Sequence, residues 1–177
     1  MTCVNPAKLI DTIAFAADKH RMQRRKDADA SPYINHPIAL ARVLAIEAGI
    51  DDEDVLCAAL LHDTIEDTET SREELEARFG TQIATIVAEV TDDKSLPKQE
   101  RKQLQIEHAA SISQQAKLVK LADKICNLRD VAASPPPDWP LARRQEYFDW
   151  AKRVVDGLRG AHAGLEAIFD AAFSTRP

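Results

Sequence analysis

Apolar residues recur along this chain at three- and four-residue steps, and strict alternation of the strand type is scarce. Leu9, Ile10, Ile13, Ala14 and Ala17 make one stripe, with Asn5 suited to cap it and Pro6 to open it, so a helix is predicted from residue 6 to about residue 20. A basic loop over 21–31 leads into Pro32-Tyr33-Ile34-Asn35-His36-Pro37. Pro37 fits the first turn of a helix running to residue 48, where Gly49 is a natural stop. Asp51 or Asp52 caps the next helix, which carries the run Ala58-Ala59-Leu60-Leu61-His62-Asp63-Thr64-Ile65-Glu66-Asp67-Thr68.

Ser71-Arg72-Glu73-Glu74 is a capping-box pattern for a short helix closed by Gly80, and Thr81 is expected to cap another to about residue 91. Residues 92–97 read as a polar loop, Pro97 starts a helix to about residue 110, and Ser113 or a neighbour opens the next. Ser134-Pro135-Pro136-Pro137-Asp138 cannot be helix interior and makes a stiff connector before two last helices, about 140–159 and 163–172. No repeat or linker interrupts this order. The pattern predicts an all-α, compact helical bundle, a single domain over 1–177.

Composition narrows the class. A chain of 177 residues, 45% hydrophobic and 29% charged, buries enough surface to fold without disulfides. Cys3, Cys57 and Cys126 are odd in number and in no CxxC pattern, which fits a reducing compartment and disfavours a zinc ribbon. The N-terminus lacks a signal-peptide layout and no apolar run is long enough to span a membrane. A net charge of −6 argues against nucleic acid as a partner. A cytoplasmic enzyme or binding domain is expected.

The chemistry concentrates at His62-Asp63. Read as helix, His62 and Glu66 are four apart, Asp63 and Glu66 three, Asp63 and Asp67 four, so several donors aim at one point beside an apolar run. With His36 and Asp123 they make a candidate set of two imidazoles and two carboxylates, suited to manganese, iron, cobalt or zinc with positions left open. Taken singly, His36 reads equally well as a capping or core residue and Asp123 as a helix-face charge. Glu66 and Asp67 lie within a turn of the pair, where carboxylates can take and return protons during hydrolysis.

Four segments carry a resemblance: residues 32–37, 58–68, 89–94 (Glu89-Val90-Thr91-Asp92-Asp93-Lys94), and 119–130, which includes Leu121-Ala122-Asp123-Lys124-Ile125-Cys126-Asn127. A weaker fifth is Arg144-Gln145-Glu146-Tyr147-Phe148. In these the chain resembles the HD-domain phosphohydrolases, and most closely the small stand-alone alarmone hydrolases of the Mesh1 type, related to the hydrolase half of the long bifunctional alarmone enzymes. The resemblance implies an HD-type bundle in which His36, His62, Asp63 and Asp123 hold one metal, usually Mn²⁺, with Glu66 and Asp67 as the acidic pair. It also implies that Arg25 and Lys26 reach over the nucleotide and that Asn127 contacts it, with Lys98, Arg143 and Tyr147 as further substrate candidates. Trp139 and Trp150 are expected to pack, and His20, His108 and His162 to be surface or structural.

Cys126 departs from the long enzymes, which usually carry His there, and there is no room for a synthetase domain. The implied activity is (p)ppGpp 3′-pyrophosphohydrolysis to GDP or GTP and pyrophosphate, in the setting of the stringent response, with NADPH 2′-phosphate removal as a secondary activity. Two other readings stay open: another HD-family nucleotide phosphohydrolase, and an alarmone sensor that binds without turnover.

Overall fold

Side-chain caps set where the helices begin. The computed structural model describes residues 4–177; Cys3 and the residues before it, read above for a leader and a thiol, lie outside the described residues. Helix α1 (Pro6–Lys19) starts at Asn5, whose Oδ1 accepts the Ala7 N–H at 3.0 Å. α2 (Asn35–Arg42) continues without a break into a wider π-type turn, Val43–Glu47, that the hydrophobic spacing did not reveal. Gly49, at φ +67°, then reverses the chain. α3 (Glu53–Leu61) is capped by Asp52, whose Oδ1 accepts from Asp54 and Val55 at 3.0 and 3.2 Å.

The expected continuation of this helix through Asp67 does not occur. α3 stops at Leu61, His62 and Asp63 form a turn, and a single helical turn, α4 (Thr64–Asp67), follows. Two local hydrogen bonds account for the break: the His62 ring Nδ1 donates to the Ala59 carbonyl at 2.8 Å, and the Thr64 hydroxyl donates to the Leu61 carbonyl at 2.7 Å. Each takes a carbonyl that a continuing helix would use for an N–H four residues on.

α5 (Arg72–Phe79) begins at Ser71, which accepts from Glu74 N at 3.1 Å; the Glu74 carboxylate pairs with Lys19 at 2.8 Å instead of closing the box. Gly80, at φ +100°, ends α5 and opens α6 (Thr81–Val90), so Thr81 is the first helical residue and not the cap, its hydroxyl donating to Glu76 at 2.8 Å. α7 (Lys98–His108) follows Pro97, and α8 (Gln114–Ala133) follows Ser113, whose Oγ accepts from Ala116 N at 3.2 Å. α9 (Leu141–Asp156) and α10 (Ala163–Phe173) complete the bundle, the latter capped by His162.

The α3 stretch from Val55 to Leu61 is wholly buried and packs on α2, α6 and α8. α8 buries Leu121, Ile125 and Leu128 on one side and closes over α9 and α10 with Phe148 and Phe169. Each such side chain contributes about 1.5–3 kcal/mol. Extended pairing among the described residues is limited to one bridge, Arg24 with Pro32, reinforced by Arg25 N–H to Ser31 O at 2.8 Å and Tyr33 N–H to Gln23 O at 3.1 Å. The basic loop is thereby pinned as an arch beside the start of α2. No described helix is long and apolar enough to cross a membrane. The architecture is all-α, as the pattern predicts.

Candidate active site

Three helical elements converge on one point. His36 comes from the first turn of α2, His62 from the α3–α4 turn and Asp123 from the middle of α8; one donor atom of each lies within 4.8 Å of the others. His36 Nε2 is 3.2 Å from Asp123 Oδ1, and His62 Nε2 is 3.8 Å from the same oxygen. Asp63, the fourth expected ligand, stands at the edge of this set. Its Oδ2 lies 2.9 Å from His62 Nε2 and accepts the Tyr33 hydroxyl, so the phenol competes for the oxygen the set would use.

Whether a cation fits is decided at His62. A carbonyl only accepts, so the bond to Ala59 O fixes the proton on Nδ1 and turns Nε2 toward the two aspartates, 2.9 Å from Asp63 Oδ2. Metal-binding histidines are held this way by a donor bond from the opposite nitrogen. Burial opposes an imidazolium at His62, but Asp63 and then Asp123 outweigh it and lift the pKa to about 9, so a proton fills the place a cation would take. Burial lowers the pKa of His36 despite Asp123. Burial also works against an ionised Asp63 and Asp123, yet His62 beside the first, and Lys124 and His36 beside the second, hold both well below the usual carboxylate range. Two carboxylates facing the Nε2 atoms of two buried imidazoles suit a divalent ion.

The break after Leu61 separates the two acids. Asp67 faces a cavity of about 690 Å³ bounded by the basic arch, α2, α8 and the proline connector. Gln23 donates to its Oδ2 at 3.0 Å, and Lys94 pairs with its Oδ1. Glu66 points the other way, into a separate small chamber with His62, Asp63 and Asp123. It accepts the Asp92 N–H at 3.2 Å, and burial, followed by the fields of Asp63 and Asp92, raises its pKa to about 7.

The large cavity gathers several of the expected substrate residues. Arg25, Lys26, Asn127 and Tyr147 line it. Arg25 pairs with Asp130 and lies 5.7 Å over the Tyr33 ring, while Asn127 donates to Asp123 Oδ1 at 2.8 Å. Tyr147 is sandwiched edgewise between Trp139 and Trp150 at 5.6 and 5.3 Å. Lys98 and Arg143 are not among its walls: Arg143 stacks 4.4 Å behind Trp139, and Lys98 shares its surroundings with Arg143 and Lys26. Trp139 itself lines the cavity, so its expected packing role is incomplete, whereas Trp150 packs and donates to the Lys102 carbonyl at 3.0 Å. Cys126 is buried near Asp123, burial pushes its thiol up to about 12, and it lines none of the cavities described, so the thiol is inert.

A family model described as HD domain matches residues 12–149, most of the chain and all of these ligands. The chain belongs to the HD-domain family. A relative from Danio rerio, guanosine-3′,5′-bis(diphosphate) 3′-pyrophosphohydrolase MESH1, is 56% identical over 176 residues, covering 99% of this chain and 98% of its own. The protein of the same name from Homo sapiens is 56% identical over 170 residues, with 96% and 95% covered. A solved structure described as a metazoan ortholog of SpoT that hydrolyzes ppGpp superposes with a TM-score of 0.94 at 53% identity, over 99% of this chain and 98% of that one.

In this HD domain, sequence reasoning missed four polar contributors. Tyr33 holds Asp63, Gln23 and Lys94 hold Asp67, and Arg24 adds to the cavity wall. Tyr33 and Lys94 lie inside the segments that carry the resemblance and Gln23 lies in the basic loop before them, but nothing in their spacing says which carboxylate each one meets. His20, read as surface or structural, is buried and bonds Gln23 Oε1 through Nδ1 at 2.7 Å, which orients the amide toward Asp67.

Proposed function

We propose that this HD-domain protein is a metal-dependent guanosine-3′,5′-bis(diphosphate) 3′-pyrophosphohydrolase, releasing pyrophosphate and GDP from ppGpp, or GTP from pppGpp. The observation that carries it is the convergence of His36, His62 and Asp123 donor atoms within 4.8 Å, with Asp63 2.9 Å from His62, beside a 690 Å³ basic, aromatic-walled cavity. The names of the relatives, matched over nearly the full length of both chains, point to the same reaction.

His36, His62, Asp63 and Asp123 would hold the ion, and Mn²⁺ is our assignment because this mixed nitrogen and oxygen set also admits Zn²⁺, Fe²⁺ or Co²⁺ without demanding them. Bound there, a divalent cation supplies Lewis-acid polarisation and lowers the pKa of water. Arg25 and Lys26 would bind phosphate oxygens, the guanidinium with two N–H groups and the ammonium as a point charge. Tyr147 and Trp139 would flank the base and Asn127 a ribose or phosphate oxygen, with Lys98 and Arg143 adding positive charge behind Trp139. Glu66 would take a proton from the attacking water, and Asp67, held by Gln23 and Lys94, would orient the nucleotide side of the reaction. Two buried free thiols, Cys57 and Cys126, fit a reducing, cytoplasmic setting.

Phosphorus NMR of ppGpp and NADPH with manganese-loaded protein tests the assignment, with Asp63→Asn as control. Pyrophosphate from ppGpp is expected, and phosphate from NADPH would add the secondary activity. Intact ppGpp with verified metal content would remove the assignment: turnover of other nucleotides would then indicate a different HD phosphohydrolase, and tight binding without turnover a sensor.

A further inference from the structure

Behind the metal residues lies space that the nucleotide side does not use. The small chamber, of about 50 Å³, is walled by His62, Asp63, Glu66 and Asp123 toward the centre and by Gln105 and Lys120 behind. A second cavity of about 190 Å³ shares Asp92, Gln105 and Lys120 with it and reaches the exposed residues Asp93 and His108. The two cavities abut at Asp92, Gln105 and Lys120 between α6, α7 and α8, and neither shares a lining residue with the 690 Å³ cavity.

Arg101 in the outer cavity has a buried Nε without a partner, and two groups shared by both cavities are also incomplete. Gln105 donates its amide N–H to Asp92 at 2.6 Å, which fixes its orientation and leaves Oε1 buried with no donor. Lys120 is buried on α8, and its ammonium forms neither ion pair nor hydrogen bond among the described residues. An acceptor lacking a donor and a cationic donor lacking an acceptor face the same small space. Water satisfies both, and one water needs roughly 10–15 Å³ of such space, so the chamber admits a few. An anion fits less well, because the four carboxylates of Glu66, Asp92, Asp63 and Asp123 outnumber the two ammonium groups of Lys120 and Lys124 in the walls, and Lys124 is already held by Asp123 at 3.1 Å.

We propose that this chamber is the water port of the hydrolysis, with Gln105 and Lys120 positioning the water that attacks. The inference rests on the pyrophosphohydrolase reading. In-line displacement brings the nucleophile in opposite the leaving oxygen. With the nucleoside in the large cavity, its 3′ oxygen leaves toward that side and water arrives from the chamber. The water oxygen bonds to the 3′ phosphorus and its proton passes to Glu66. The bond from phosphorus to the ribose 3′ oxygen breaks, and that oxygen keeps the electron pair and takes a proton from solvent water in the large cavity, giving the 3′ hydroxyl and pyrophosphate, while Glu66 returns its proton to water in the chamber. Glu66 lines only the chamber and Asp67 only the large cavity, which divides the two acids between the two sides.

Gln105→Leu and Lys120→Met in the full-length, manganese-loaded protein test this. Each is expected to lower kcat for ppGpp by about tenfold or more while KM, bound metal and melting temperature hold. A crystal structure of the wild type at high resolution should show ordered water on Gln105 Oε1 and Lys120 Nζ. Unchanged kcat in both variants, a rise confined to KM, or a dry chamber would overturn the inference. If Gln105→Leu does not fold, Lys120→Met and the crystallographic water decide it. Wild-type protein that leaves ppGpp intact would defeat the functional reading instead, and the crystallographic water would still judge the chamber.

Discussion

Glu66→Gln in the metal-free protein should be more stable than wild type, by an amount that grows above about pH 4.5 and is complete just above pH 7. The glutamine keeps an oxygen to accept the Asp92 N–H but carries no charge. Burial, with Asp63 and Asp92 alongside, raises the Glu66 carboxyl from 4.5 to about 7. A folded-state value above the unfolded one means that the fold prefers the protonated acid. The group's stabilising contribution is therefore complete below about pH 4.5 and is lost as pH rises through about 7. At 1.36 kcal/mol per pH unit the loss is at most about 3 kcal/mol, and nearer 2 because the side chain is partly solvated. For a chain of this size 2 kcal/mol moves the melting temperature by roughly 4–8 °C. Thermal melts of chelator-treated wild type and variant at pH 4.5 and pH 8 measure it. The curves should coincide at the lower pH and separate by that amount at the higher one. Restoring Mn²⁺ should narrow the gap, since a cation beside Asp63 cancels part of the field on Glu66. Equal melting at pH 8, or an equal gain at both pH values, would refute the argument.

Three further outcomes follow from the same geometry. Asp63→Asn should lose bound metal and turnover yet keep its helical circular dichroism, because the apolar core does not depend on that carboxylate; loss of helicity would contradict this. Since a proton with a pKa of about 9 occupies His62 without metal, apparent Mn²⁺ affinity measured by calorimetry should rise about tenfold per pH unit from 7 toward 9, with close to one proton released per ion. Asp52→Ala removes the cap of α3 and should cost about 1 kcal/mol in urea unfolding with no change in KM, while a KM change would tie α3 placement to the nucleotide cavity.

Much of the architecture is legible because it is written in local chemistry. Asn5, Asp52, Ser71 and Ser113 cap the helices as their side-chain oxygens dictate, and the apolar three- and four-residue steps mark the buried faces. The turn at His62-Asp63 is not legible, since every residue from Ala58 to Asp67 is compatible with helix. Ending α3 there depends on the His62 ring reaching back to Ala59 and Thr64 to Leu61, choices that make sense only once the ring is held in the bundle. The ligand set could be named because its residues lie in matched segments. Gln23 and Lys94 escaped notice because their partner, Asp67, is distant in sequence. Lys98 and Arg143 drew notice for their charge, yet the fold places them behind Trp139.

The pinned arch between α1 and α2 has a consequence for how such a protein can diversify. The donors proposed to hold the ion sit on α2, the α3–α4 turn and α8, rooted in the core, whereas Arg24, Arg25 and Lys26 belong to a short span tied at its base by the Arg24–Pro32 bridge and its neighbouring hydrogen bonds. Exchanging that span between its anchors would change what is gripped and leave what is broken untouched. Substrate preference and bond cleavage can thus drift separately, and a graft of residues 24–31 from a homologue is expected to transfer the one without disturbing the other.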